Sequence, residues 1–195
     1  MRILVVYCHP VESSFCSALH QAVVHTLKSK GHAVDDCDLY AEGFNPVLSR
    51  EERLMYNDPP NNLVEAKPYA DRVMQAHALV FVFPVWNFGL PAMLKGFIDR
   101  VLVPGVSFHM DERGRIVPGL VHLRQIHAVT TYGVPRWKAW WLGDAPRAII
   151  KRFFKRLTGN RASVHYHARY HLNVATPHDL EHFVLQVKNA MMEMH

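Results

Sequence analysis

Residues 78–101 read ALVFVFPVWNFGLPAMLKGFIDRV and contain the pattern that decides the fold. The first six residues are all apolar, and four of them are Val or Phe, which favours a short strand buried on both faces of a sheet. From Pro91 to about Leu102 a helix is predicted, because proline suits a first helical position and apolar side chains recur there at helical spacing. The loop between them carries Trp86 and Phe88. A buried strand that leads through a loop into an amphipathic helix is the repeating unit of a parallel sheet.

The same alternation runs through the rest of the chain. Strands are predicted at residues 3–7, 33–39, 125–131 and 163–168, and helices at residues 18–27, 68–76, 144–157 and 177–192. A Pro- and Asn-bearing excursion over residues 40–65 and a polar hairpin-like insertion over residues 110–119 interrupt it. The pattern predicts an α/β fold, a five-stranded parallel sheet covered by helices on both faces. Ligands of such sheets bind beyond the carboxyl ends of the strands, so the site is expected in residues 8–18, 84–91 and 130–142.

Length and composition limit the classes of protein that fit. With 195 residues, 49 % of them hydrophobic and 20 % charged, the chain is expected to form one domain over residues 1–195. This length argues against a two-domain dehydrogenase, and the composition argues against disorder. The formal net charge of +5 is compatible with an anionic cofactor, and no nucleic-acid partner is expected.

Neither the histidines nor the cysteines form a recognisable metal or disulfide motif. The chain has 14 histidines, but no Cys, Asp or Glu stands at zinc-site spacing beside them, so no metal site is expected. The three cysteines are odd in number and lack a CxxC pair, which is typical of reduced thiols in a cytoplasmic protein. There is no signal-peptide pattern and no apolar run of 18 residues, so no transmembrane segment is expected.

Three loops carry the candidate binding residues. The first lacks the GxGxxG and GxxxxGK[ST] fingerprints but offers His9, two serines and the free N–H groups of a helix start, which suit a phosphate. The second offers two large aromatic side chains between Pro84 and Gly89, which suit a flat ring. The third begins with two threonines, Tyr132 and Gly133. The alternatives are that the serines only cap the helix and that the aromatics only pack against it. Together the three loops favour a flavin mononucleotide moiety.

At these residues the sequence resembles the flavodoxin-fold NAD(P)H:quinone oxidoreductase family, the DT-diaphorase-like enzymes. The similar segments are residues 9–18, residues 38–41 with 44–49, residues 83–101 and the two threonines at 130–131, in the family's order. The resemblance implies a flavodoxin-like fold with strand order 2-1-3-4-5. It also implies a ping-pong reaction in which NAD(P)H, the co-substrate, reduces the flavin and a quinone-like acceptor then takes two electrons.

The resemblance also implies the residues that bind the cofactor. They are His9, Ser13, Ser14, Phe15, Cys16 and Ala18 around the phosphate, Pro84, Val85, Trp86, Asn87 and Phe88 along the isoalloxazine edge, and Thr130, Thr131, Tyr132 and Gly133 near its pyrimidine side. The first loop is more similar to that of FAD-using members, so FAD is favoured over FMN.

The chain departs from the family pattern at four positions. Cys16 stands where the family usually has Asn, and Tyr132 stands where it has Gly. Lys138 and Asp144 fall at the offsets of the Tyr and His of the animal enzymes. Tyr132, Arg136 and Lys138 are therefore the candidates for stabilising negative charge on the reduced cofactor.

Family members are homodimers with the active site at the interface, and the same is implied for this chain. The apolar trio Trp137, Trp140 and Trp141 is consistent with such an interface, although it could instead anchor the following helix.

Two other functions stay open: a flavodoxin-type electron carrier, and an ancillary flavoprotein that regulates a membrane transporter. The basic charge balance argues against the carrier, because carriers usually dock through an acidic face.

Overall fold

A computed structural model describes residues 1–195. The strands are β1 (Arg2–Tyr7), β2 (Ala33–Asp38), β3 (Ala78–Pro84), β4 (Phe108–Met110), β5 (Ile116–Pro118), β6 (Gln125–Thr131) and β7 (Ser163–Arg169). The helices are α1 (Phe15–Ser29), α2 (Arg50–Leu54), α3 (Lys67–Gln75), α4 (Ala92–Val101), α5 (Arg136–Trp141), α6 (Ala145–Ala148), α7 (Lys155–Leu157) and α8 (Pro177–Met192). A π-helical turn over Ile149–Phe154 joins α6 to α7. No helix has the length and apolar character needed to cross a membrane.

The central sheet has five parallel strands in the order β2-β1-β3-β6-β7. Counted along the sheet's own strands this is the order 2-1-3-4-5, so the predicted fold class is confirmed. The order reverses between β1 and β3, and this switch point opens a crevice at the carboxyl ends of the strands.

Alternate residues of β3 point into two separate hydrophobic cores. Leu79, Phe81 and Phe83 face the larger core, which also holds side chains of α3 and α4. Val80 and Val82 face the smaller core, which is covered by α1 and α8. All seven residues of β3 are buried, as its continuous apolar run predicts for a central strand.

The excursion over residues 40–65 is held against α4 by polar and close backbone contacts. It contains the short helix α2, whose Ser49 and Glu52 form a reciprocal cap. Glu52 pairs with Arg100 of α4 inside the protein, with both side chains almost fully buried. Gly96 lies so close to Pro46 that a Cβ atom on residue 96 would be 2.2 Å from the Pro46 carbonyl oxygen. The long loop expected from the sequence is therefore an ordered strap across α4.

Two other segments were only partly predicted. The expected hairpin is the antiparallel pair of β4 and β5, which is separate from the main sheet. Residues 132–142 were expected to be a loop, but they contain α5. Sequence periodicity misses this helix because Ala139 is its single buried residue.

Candidate active site

A cavity of about 250 Å³ lies beyond the carboxyl ends of β1, β3 and β6. Its lining comes from the three loops expected to bind a ligand and from the turn that follows β7. The lining residues are His9, Ser14, Phe15, Cys16, Pro84, Val85, Trp86, Thr131, Gly133, Leu172 and Asn173. The cavity therefore sits at the switch point of the sheet, where a doubly wound fold binds its ligand.

The first loop ends in the N-terminus of α1. The Ser14 hydroxyl caps the helix by accepting a hydrogen bond from the Ser17 N–H at 3.1 Å. The N–H groups of Phe15 and Cys16, in the first turn, have no intrahelical acceptor, and no acidic side chain occupies that turn. His9 is fixed beside them because its Nδ1 accepts a hydrogen bond from the Val11 N–H at 3.0 Å. This end of the cavity offers backbone donors and a helix dipole to an anion.

The second loop is a tight turn that presents Trp86. The N–H and carbonyl groups of Trp86 and Gly89 pair with each other at 3.2 and 2.9 Å. Between them, Asn87 and Phe88 have φ values of 49° and 60°. This left-handed geometry is unfavourable for a bulky residue such as Phe88, so the surrounding structure has to hold it. The Trp86 ring lies 5.7 Å from the His9 ring and forms an aromatic wall across the cavity mouth.

The third loop is tied to both neighbouring strands. The Val85 N–H donates to the Thr131 carbonyl at 2.8 Å, which fixes the second loop to the third. The N–H of Tyr132 donates to Arg169, and its carbonyl accepts from the N–H of Leu172. Asn173 is thereby packed against Gly133, where a Cβ atom would lie 3.1 Å from the Asn173 amide nitrogen. A residue larger than glycine at position 133 would crowd the cavity.

A partly buried hydroxyl network lies behind the third loop. The Tyr132 hydroxyl donates to Asp144 and contacts the Tyr166 hydroxyl, both at 2.5 Å. Tyr170 makes a longer bond of 3.4 Å to the same carboxylate. Burial, together with the nearby Tyr166 and Asp144, raises the pKa of Tyr132 far above its usual range, so this phenol stays neutral. The network braces the loop from behind.

A second, mainly apolar groove of about 350 Å³ begins at Phe15, which also lines the cavity. Its other walls come from α8 and consist of Leu180, Glu181, Val184, Leu185 and Lys188. Phe15, at the start of α1, is thus a wall of both the cavity and the groove.

Residues 1–168 match the sequence model of a protein family whose description is 'flavodoxin-like fold'. The chain belongs to this family. Among curated relatives, NAD(P)H dehydrogenase [quinone] 1 of Rattus norvegicus is 35 % identical over 127 residues, which are 55 % of this chain and 45 % of the relative. An uncharacterised NAD(P)H oxidoreductase of Haemophilus influenzae is 34 % identical over 136 residues, covering 68 % of this chain and 65 % of the relative. The chain spans about half the length of the curated relatives it matches.

Solved structures share this fold over the whole chain. Smu.1420 from Streptococcus mutans superposes with a TM-score of 0.86 at 28 % identity, covering 100 % of both chains. An NAD(P)H:quinone oxidoreductase from Methanothermobacter marburgensis superposes with a TM-score of 0.79 at 23 % identity, covering 100 % of this chain and 99 % of the other, a likeness of fold.

The cavity is lined by most of the residues that were expected to bind the cofactor. The exceptions are Ser13, Ala18, Asn87, Phe88, Thr130 and Tyr132, which do not line it. Of these, Thr130 is buried inside the sheet, and Ser13 and Ala18 point to solvent. Neither Arg136 nor Lys138 reaches the cavity; the Lys138 ammonium instead lies 5.4 Å from the centre of the Trp137 ring.

Two lining residues, Leu172 and Asn173, were not anticipated. They belong to a 3-10 turn that follows β7, the edge strand of this flavodoxin-like sheet. The signal was available, because the carboxyl end of β7 lies beside that of β6 and all such loops are candidates. The switch-point rule favours the loops after β1, β3 and β6 over the loop after β7.

Proposed function

We propose that this protein is a flavin-dependent NAD(P)H oxidoreductase that reduces quinones or similar acceptors by two electrons. The observation that carries the proposal is that one cavity has both the free N–H groups of α1 and the Trp86 ring in its walls. Relatives bearing the names NAD(P)H dehydrogenase [quinone] and NAD(P)H oxidoreductase support it.

The residues that line the cavity fit a flavin nucleotide. The N–H groups at the start of α1 and the Ser14 side of the loop would hold the phosphate. Residues 84–86 would follow one edge of the isoalloxazine ring, and Thr131 with Gly133 would approach the other. A bound flavin supplies hydride acceptance from NAD(P)H at N5 and two-electron delivery to the acceptor, in ping-pong order. The Trp86 ring keeps water from one side of the space where nicotinamide and acceptor alternate.

The test is an anaerobic titration of the purified yellow protein with NADH and with NADPH, followed by a quinone. We expect either nucleotide to bleach the flavin and the quinone to restore its colour. Gly133→Val should lower flavin affinity by at least tenfold, because the added side chain meets Asn173, whereas Ala33→Val, at an exposed position at the amino end of β2, should leave it unchanged. A protein that stays colourless after incubation with FAD and FMN would rule the proposal out. A bound flavin that neither nucleotide reduces would favour the electron-carrier or transporter-regulating function.

The cofactor is FAD. The support for this choice is the groove that starts at Phe15, because an adenine ring attached through the pyrophosphate would have apolar walls at Val184 and Leu185. The Glu181 carboxylate at its side can accept a hydrogen bond from an exocyclic amine. FMN has no group that reaches this groove.

Flavin released from the purified protein and identified by chromatography tests the choice. Leu185→Asp should weaken FAD binding about tenfold and leave FMN binding unchanged, because it places a charge in the apolar groove. Leu54→Asp, at another exposed leucine outside the groove, is the matched control. Equal loss of FAD and FMN affinity in Leu185→Asp would contradict the assignment.

The active form is a homodimer in the cytoplasm. Support for the dimer comes from the second loop, where Trp86 and Phe88 are exposed and a second copy would cover them. Support for the compartment comes from three free, buried cysteines. Sedimentation of the flavin-loaded protein tests the dimer, and Phe88→Asp should shift the equilibrium towards monomer. A wild-type protein that sediments as a monomer at all concentrations would exclude it.

A further inference from the structure

Helix α5 and the residue after it form an exposed aromatic surface. Trp137, Trp140 and Trp141 are 64, 76 and 74 % exposed, and Leu142 is 50 % exposed. We call these four residues the tryptophan face. Ala139 is the only residue of α5 that packs into the protein, so the indoles contribute little to the core. Three exposed indoles on two helical turns are a large apolar patch that a partner would be expected to cover.

The segment that carries the tryptophan face is strongly basic. Residues 136–161 contain eight Arg or Lys side chains and one acidic side chain, Asp144, so the rest of the chain has a net charge of −2. Asp144 is occupied by the hydroxyl network behind the third loop. Trp140 lines an open groove of about 700 Å³ together with Arg147, Lys151 and Arg152. Indole and cations therefore share one surface.

The charge indicates which partner fits. A second copy meeting this face across a two-fold axis would bring the two cationic segments together, which opposes self-association there. An anionic bilayer satisfies both features, because indoles partition to the lipid–water interface and basic side chains are attracted to anionic headgroups. We propose that the tryptophan face and its flanking cations dock this protein on the surface of an anionic lipid bilayer.

Docking would also place the cavity near the acceptor, a consequence that rests on the proposed function. Helix α5 begins three residues after Gly133, which lines the cavity. A bilayer held at α5 would lie beside the site, and lipophilic quinones dissolve in bilayers. The docking itself needs neither flavin nor nucleotide.

Vesicle co-sedimentation tests the docking, with turnover not involved. The probes are vesicles of pure phosphatidylcholine and vesicles in which one third of the lipid is phosphatidylglycerol. We expect the wild-type protein to bind only the anionic vesicles, with a blue shift of its tryptophan emission, and to be released in 1 M NaCl, where the screening length is about 3 Å. Lys151→Glu/Arg152→Glu should lower the partition coefficient roughly 30-fold or more. Trp140→Ser/Trp141→Ser should lower it at least tenfold.

Arg50→Glu/Arg53→Glu is the matched control, because it makes the same change of net charge at exposed positions on α2. Retained vesicle binding in this control would assign the effect to the face and not to overall charge. The proposal is overturned if the control loses as much binding as Lys151→Glu/Arg152→Glu, or if the wild-type protein binds neither vesicle or both equally. It is also overturned if Trp140→Ser/Trp141→Ser converts a dimer into monomers, because a second copy then covers the face. Thermal melts of each variant exclude unfolding as the cause.

Discussion

At the scale of single residues, Cys16 shows how the cavity tolerates a departure from the family pattern. The thiol stands in the first turn of α1, where an anion is expected, and a thiolate there would repel it. Burial raises the pKa of Cys16 to about 12, and the nearby Cys8 adds to the effect, so the group is neutral at physiological pH. Burial likewise raises the pKa of Cys8 to about 12.

A thiol titration follows from this burial. With Ellman's reagent at pH 8, we expect no rapid reaction in the folded protein and three thiols after unfolding, because all three cysteines are buried and free. Preincubation with flavin should not change the result. A cysteine that reacts within seconds in the folded protein would contradict the burial of these thiols.

The residues of the second loop show what a sequence can and cannot reveal about a site. The positions and types of Trp86 and Phe88 indicated an aromatic wall at a strand end. In the turn that aims them, two successive residues lie in the left-handed region; Asn87 is a residue type that tolerates this geometry, but Phe88 is not, so residue type alone does not predict the turn. Trp86 lines the cavity, whereas the exposed side chain of Phe88 does not.

At the scale of elements, the register of β6 and β7 brings together histidines that lie far apart in sequence. His127 pairs with His165 across the two strands, and its Nδ1 lies 3.2 Å from Nε2 of His167. Desolvation by burial, followed by the nearby imidazoles of His167 and His165, lowers the pKa of His127 to about 3. Burial and the adjacent His165 lower the pKa of His167 to about 4. No group of three or more His, Cys, Asp or Glu side chains here is arranged to hold a metal ion.

These lowered values predict acid sensitivity. Both imidazoles are neutral in the folded protein, whereas the unfolded chain takes up protons below about pH 6.5. Stability is therefore fully present above that pH and is lost as the pH falls towards 4. His127 alone should account for roughly 2 kcal/mol of lost stability at pH 5. Urea unfolding at pH 7.5 and pH 5 measures it. His127→Gln should flatten the dependence, and exposed His25→Gln should not; equal slopes in all three proteins would contradict the assignment.

The strap formed by residues 40–65 depends on the Glu52–Arg100 pair. Burial by itself raises the pKa of Glu52, but hydrogen bonds from Arg100 and Ser49 leave that pKa below its usual range. Arg100→Met leaves a buried carboxylate without its partner and should cost about 3–5 kcal/mol in urea unfolding. Arg100→Met/Glu52→Gln should cost clearly less, because the charge is gone while the cap on Ser49 remains.

Lys95→Met on the same helix is the control for the buried pair. Lys95 and Asp99 form an exposed pair at 2.6 Å, so its loss should cost less than about 1 kcal/mol. If Arg100→Met costs no more than Lys95→Met, the strap is not held by this buried pair.

Elements with strong hydrophobic patterns were predictable and the polar ones were not. The five sheet strands and the helices that cover them were expected close to their observed positions, because continuous apolar runs and helical spacing mark buried elements. Helix α2 depends on a reciprocal cap and on an arginine 48 residues away, and α5 buries one alanine. Neither helix has the apolar periodicity that distinguishes a buried helix from a loop, and the one local signal for α2 is the capping pattern of Ser49 and Glu52.

At the scale of the whole molecule, the segments that line the cavity all lie at the carboxyl ends of the strands, and none lies at their amino ends. Four separate segments, those after β1, β3, β6 and β7, meet around the cavity. A flavin that binds only the folded state would couple all four. At 100 times its dissociation constant it should stabilise the fold by about 2.7 kcal/mol and raise the melting temperature by roughly 5–10 °C.

Hydrogen exchange can locate this coupling. With flavin bound, we expect slower amide exchange in residues 8–18, 84–91, 130–133 and 171–174, which belong to all four segments, and unchanged exchange at the amino ends of the strands and in the β4–β5 hairpin. Riboflavin serves as the matched ligand, because it has the ring but no phosphate to meet the N–H groups of α1. It should give a much smaller rise in melting temperature and little protection of residues 8–18. If riboflavin stabilises as well as the phosphorylated flavin does, α1 does not bind the phosphate, and the orientation assigned to the cofactor in this cavity is wrong.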